Sequence, residues 1–229
     1  MSSTETMILL SYNSIVNSPV YKKMLYDYMK GKNVREQDIK NHLCFQIKNE
    51  IGKIDKDNIK PADNRVCSCL TRKYYGFKLN YENKQYFCYE TPKLVCLFSE
   101  KNGKYILNYI VSREEYDFVV NNIDNKCCCA TYHFIETLKK RQLGKIKQLI
   151  QGNLTNNEIE KIVIEYINDS NKNSLNRVDL IGHYKMVNYL NNNMENSLYY
   201  TDNKLVFVVA NKVLITCYAY WPDKYQVVE

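Results

Sequence analysis

The chain has 229 residues, 45% hydrophobic and 25% charged, which supplies one large core or two small ones and excludes disordered and fibrous classes. A formal charge of +7, with a pI near 8.8, favours polyanionic partners, nucleic acid above all. No run approaches the roughly 18 apolar residues of a membrane span, and nine cysteines behind an N-terminus with no basic, apolar leader read as reduced thiols in a cytoplasmic compartment.

Residue usage is skewed: 7 Gly and 4 Pro stand against 21 Tyr. Together with Asn- and Lys-rich stretches this is the output of AT-rich coding DNA, as in a virus or another AT-rich genome. The Asn runs are therefore read as solvated loops only.

In chain order, "ETMILLSY" at 5–12 predicts a short buried strand or helix lead-in. Ser18 and Pro19 then start an amphipathic helix that Gly31 closes, and a second helix covers 34–52 with Ile39, Leu43 and Ile47 on one face. After a polar stretch the period changes to two. "TRKYYGFK" and the aromatic runs about Asn83 read as strands, and Asn102-Gly103 is a hairpin turn. The spacing then predicts one long helix over 130–151 and another opened by a capping box, Thr155 with Glu158. A third helix over 177–193 precedes a terminal hairpin that turns at "ANK".

The fold class expected is α+β, with a helical N-terminal unit, a central antiparallel sheet and a helical C-terminal unit closed by a β-hairpin. A division falls between 1–125 and 126–229, with packing of the two as one domain as the alternative. From about 155 to 220 the order helix, helix, helix, hairpin resembles a winged helix. That resemblance implies a recognition helix in "HYKMVNYLNNN" carrying Lys185, Asn188 and Asn192, and a wing tip at Asn211 and Lys212.

Three kinds of chemistry compete. The first is polyanion binding: Lys139, Lys140, Arg141, Lys145 and Lys147 form a run with no acidic residue, displayed opposite an apolar helix stripe of Leu138, Ile146, Leu149 and Ile150. Arg72, Lys73 and Lys78 interleave with Tyr74, Tyr75 and Phe77, a mixture suited to unpaired bases. The second is metal-independent RNA cleavage, with His183 as general base, Lys185 beside it and Tyr218 on the terminal hairpin as a partner group. The third is an interaction protein or homo-oligomer assembled through tyrosine-rich surfaces.

"NKCCCATYHF" at 125–134 raises a separate question. Cys129 and His133 stand i, i+4 if a helix starts near 128, and Cys67 and Cys69 share a side of a strand, so a composite zinc site is conceivable. The spacings match no standard zinc module, and cysteine is a frequent core residue. The reading puts packing first, zinc second and a reactive Cys–His pair third. No cofactor is expected. The function expected is non-enzymatic nucleic-acid binding, with RNA or single strands preferred and no membrane.

Overall fold

The computed structural model describes residues 8–9, 54, 56–75, 85–141, 143–169, 175–182 and 197–228, with isolated positions at 21, 37, 38, 41, 42, 45 and 49. Those isolated positions are helical; the two N-terminal helices otherwise lie outside the described residues, as do the Asn83 turn and most of the third C-terminal helix. The fold is α+β. The chain divides into two compact units, Met1–Ser68 with Asn80–Phe118, and Cys69–Leu79 with Val119–Glu229.

The first unit contains a five-stranded sheet of order β1-β5-β4-β3-β2. Its strands are β1 (Ile8–Leu9), β2 (Lys60–Pro61), β3 (Tyr86–Glu90), β4 (Leu94–Lys101) and β5 (Lys104–Ser112), antiparallel except for β1 against β5. The β4–β5 turn is Asn102-Gly103, with φ of 54° and 71°, the left-handed pair that a tight hairpin requires. Val95, Leu97, Phe98, Leu107 and Ile110 fill its core.

Helix α1 (Asn64–Tyr75) starts where the Asp63 carboxylate accepts the Arg65 amide at 2.8 Å, an N-cap bond. This corrects the strand expected over 72–78: Arg72, Lys73, Tyr74 and Tyr75 belong to a helix, and residues 76–78 lie outside the described set. Helix α2 (Arg113–Asn122) follows β5 directly, with the Ser112 hydroxyl accepting the Glu115 amide.

The second unit has its own six-stranded sheet, where a helical unit closed by a β-hairpin was expected. Its order is β11-β7-β8-β9-β10-β6. The strands are β6 (Cys129–Ala130), β7 (Asn176–Leu180), β8 (Ser197–Thr201), β9 (Leu205–Ala210), β10 (Val213–Ala219) and β11 (Tyr225–Val227). Only β6, against β10, is parallel. Every residue of β9, "LVFVVA", is buried, as a continuous apolar run at the centre of a sheet should be. The terminal hairpin turns at Asn211 (φ 48°) and Lys212 (φ 66°) as expected.

Two helix expectations change here. Residues 176–180 are strand β7, paired to β8, so the third helix cannot begin at 177 and the winged-helix order is not kept. The long helix over 130–151 is broken into α3 (Tyr132–Arg141) and α4 (Ile146–Leu149). Gly144 lies between them at φ 71°, incompatible with a continuous right-handed helix. Helix α5 (Asn156–Asn168) begins with the full capping box: the Thr155 hydroxyl accepts the Glu158 amide and the Glu158 carboxylate accepts the Thr155 amide. Phe207 of β9 meets Phe134 of α3 and Tyr166 of α5, so both helices cover one face of this sheet. Among the described residues, no helix is long and apolar enough to cross a membrane.

Candidate nucleic-acid interface

The basic run is positioned from both ends. The Thr131 hydroxyl caps α3 by accepting the Phe134 amide at 3.1 Å. Phe134, Ile135 and Leu138 are buried, which leaves Lys139, Lys140 and Arg141 in the last turn, where cations suit the helix dipole. Lys139 is partly engaged, with its ammonium on the Asn156 side-chain oxygen and 3.7 Å from Glu136. Lys140, Arg141, Lys145 and Lys147 are exposed, and Ile146 between them is buried.

The break in the helix is held by Asp202. Its Oδ2 accepts the Lys145 amide at 3.2 Å, and its Oδ1 accepts the Lys204 and Leu205 amides at 3.0 and 2.8 Å. A buried carboxylate thus ties the basic loop to the β8–β9 turn, and through that turn to the rim of the sheet.

The same rim gathers aromatic rings. The Tyr220 amide donates to the Lys204 carbonyl at 2.9 Å, and the Ile181 amide to the Lys224 carbonyl at 2.9 Å, which fixes the segment leaving β10. The Arg141 guanidinium lies over the Tyr218 ring, 5.8 Å from its centroid, and the Lys224 ammonium over the Trp221 ring at 5.6 Å. Tyr220 stacks on Tyr225 at 5.8 Å, and Tyr199 packs on Tyr225 at 6.2 Å. Burial raises the Tyr225 phenol to about 12, with Tyr199 and Tyr218 adding to the shift, so it remains a neutral donor at physiological pH. Trp221 is 57% exposed. Three rings, Tyr218, Tyr225 and Trp221, are thus gathered on this rim, with a cation over the first at Arg141 and over the last at Lys224. Asp223 is the exposed acid among them.

The other residues singled out from sequence are placed differently. Lys73 is no surface cation: its ammonium lies 2.7 Å from Glu160, with 8% of the side chain exposed, so it is not displayed to phosphate. Arg72 is half-buried on α1, and the Tyr75 side chain lies outside the described residues. His183, Lys185, Asn188 and Asn192 also lie outside them.

The four metal candidates do not converge as a set, although Cys69 and Cys129 come near each other. Cys67 and Cys69 lie on a helix, not a strand, so residues two apart point about 200° from each other. Cys129 precedes α3 on β6, which removes the i, i+4 relation, and His133 is exposed with its ring beside the Thr137 hydroxyl at 3.5 Å. Among the described residues, no group of three His, Cys, Asp or Glu side chains is arranged to hold a metal ion.

The thiols are packed and directed at carbonyl oxygens instead. Cys69 points to Asn211 O at 3.7 Å, Cys128 to Lys212 O at 3.4 Å and Cys129 to Cys69 O at 3.8 Å, while Cys128 and Cys129 Sγ are 4.0 Å apart. Hydrogen bonding with Cys129 and Cys69, and then burial, pushes the Cys128 thiol up. At Cys129 the Cys128 hydrogen bond pulls down, and complete burial overrides it upward. This is the opposite of an activated nucleophile.

Sequence reasoning found the basic run, and Tyr220 only as a partner group for RNA cleavage on the terminal hairpin, but missed Trp221, Lys224 and Tyr225. The signal available was the only tryptophan of the chain, set in "YWPDK" directly after a strand. Neither a family model, nor a curated protein, nor a solved structure matches the chain.

Proposed function

We propose that the protein binds nucleic acid, without acting on it chemically, through the basic segment 139–147 and the aromatic rim beside it. The observation that carries this reading is the display of Lys140, Arg141, Lys145 and Lys147 to solvent in a segment free of acidic residues and fixed by Asp202. Cations held this way neutralise phosphates and release counterions, which gives affinity that falls steeply with salt. The eight described cysteines, all free and buried, support a reducing intracellular compartment.

The test is fluorescence anisotropy with labelled single-stranded RNA and labelled duplex DNA from about 50 to about 300 mM salt. The expected result is micromolar or tighter binding with a negative salt slope. Lys140→Glu with Arg141→Glu should reduce that slope by about 1.4 on a single strand, about 0.7 for each lost phosphate contact. Absence of binding at the lowest salt overturns the reading. Recovery of shortened RNA from the same samples overturns its non-enzymatic part.

A further inference from the structure

We infer that the nucleic acid bound is single-stranded and that an unpaired base stacks on Trp221, an inference that rests on the nucleic-acid reading above. Phosphate contacts alone need only cations, and segment 139–147 supplies them without any ring. The rim adds a different chemistry. Trp221 exposes 57% of its surface in a short turn fixed by backbone bonds on either side, Tyr220 N to Lys204 O and Ile181 N to Lys224 O. An indole carried on a fixed backbone and left open to water is a stacking platform, because little backbone ordering remains to be done when a flat ligand arrives.

Charge complementarity narrows the occupant. Lys224 lies over the indole and Arg141 over Tyr218. Cations are therefore placed at the rings themselves, where a stacked nucleotide also carries its phosphate. A duplex can meet the basic segment, but its bases are already stacked on one another and closed to an external ring. A single strand satisfies both sets of groups. The apolar surface of Trp221 alone would serve a protein partner, yet the cations beside it match a polyanion, with Asp223 the exposed opposing charge.

The experiment uses the full chain with two probes, an oligouridylate of about 15 nucleotides and a mixed-sequence DNA duplex of about 15 base pairs. Trp221 is the only tryptophan beside 21 tyrosines, so emission excited at the red edge of the absorption band, where tyrosine does not absorb, reports this ring alone. Oligouridylate should quench that emission and the duplex should leave it unchanged. Trp221→Ala should weaken oligouridylate binding about 5- to 100-fold with the salt slope intact, since no charge is removed. Trp221→Phe should recover most of the loss, and duplex affinity should not move. If oligouridylate binds with unaltered emission, or Trp221→Ala binds it as tightly as the parent, stacking is overturned while the basic segment keeps its role. If neither probe binds, the nucleic-acid reading itself fails.

Discussion

Lys73 and Glu160 form an ion pair of 2.7 Å with 8% and 6% of their side chains exposed, so two opposite charges are held together almost wholly out of water. The second oxygen of Glu160 accepts the Ala130 amide at 2.8 Å. The carboxylate thus joins α1, α5 and β6 within the second unit, beside the Cys128–Cys129 thiols. Burial of such a pair costs nearly what its attraction returns, but loss of one partner leaves the other charge stranded. Lys73→Met should therefore destabilise the second unit by about 3–5 kcal/mol. Adding Glu160→Gln, which keeps an acceptor for Ala130, should recover a large part of that. Urea unfolding followed by Trp221 emission measures both. Equal stability of the single and double variants would refute the coupling.

The buried thiols and phenols make alkaline pH the vulnerable side. Burial raises Cys96 and Cys217 from 9.0 to about 12, and burial followed by interaction with Asp202 raises Tyr166 from 10.0 to about 12. A group whose folded value is raised keeps its proton when the unfolded chain loses it. Its contribution is complete below the unfolded value and disappears as pH climbs through the folded one. Stability should therefore hold up to about pH 9 and then fall toward pH 12, by about 1.4 kcal/mol per pH unit for each such group titrating only in the unfolded chain. Cys217→Ala should flatten the slope by one group between those limits. Iodoacetamide at pH 8 should leave Cys127, Cys128 and Cys129 unmodified until denaturant is added, and their modification in the native protein would contradict their burial.

The first unit has its own acid-sensitive group. Burial pushes the Glu90 carboxyl up, but Lys60 at 2.8 Å and the Arg113 guanidinium outweigh it and hold the group below its ordinary 4.5. Its contribution is present above pH 4.5 and is lost as pH falls through the lower, folded value. Glu90→Gln should cost about 1 kcal/mol at neutral pH, since Lys60 is well exposed, and should remove part of the acid dependence. Amide exchange of residues 86–112 between pH 3 and pH 6 measures this. Identical pH profiles in parent and variant would assign the acid lability elsewhere.

Local chemistry was legible in the sequence where few residues decide the structure. Asn102-Gly103, Asn211-Lys212 and the Thr155–Glu158 box specify their turns and cap almost alone. Misreadings occurred where the deciding partner is distant. "TRKYY" alternates as a strand would, yet it continues a helix that Asp63 starts and whose Lys73 is drawn inward by Glu160. "NRVDL" follows a helical rhythm, but it joins the sheet because β8 and β11 flank it on either side. The candidate site shows the same division. A run of five cations is visible in one line of sequence, whereas the pairing of Arg141 with Tyr218, and of Tyr220 with Tyr225, depends on the sheet closing around residues far apart. The break at Gly144 depends on Asp202.

That break gives the sharpest local test, because two glycines share one conformation and differ in their surroundings. Gly103 and Gly144 both have φ 71°. A Cβ built on Gly103 meets nothing within 4 Å, while one on Gly144 falls 2.3 Å from Asp202 Oδ2 and 3.0 Å from its Cγ. Gly103→Ala should therefore cost only the left-handed penalty, about 1–2 kcal/mol. At Gly144 the carboxylate would have to move, and it is held by the Lys145, Lys204 and Leu205 amides. Gly144→Ala should cost that penalty plus the weakening of these bonds, about 1 kcal/mol or more beyond Gly103→Ala. It should also loosen the basic segment, so that affinity for oligouridylate falls with no charge removed. Urea unfolding of both variants beside one binding titration separates the effects. Equal costs at the two glycines would mean that Asp202 yields freely, and that the loop bearing Lys145 is not fixed by it.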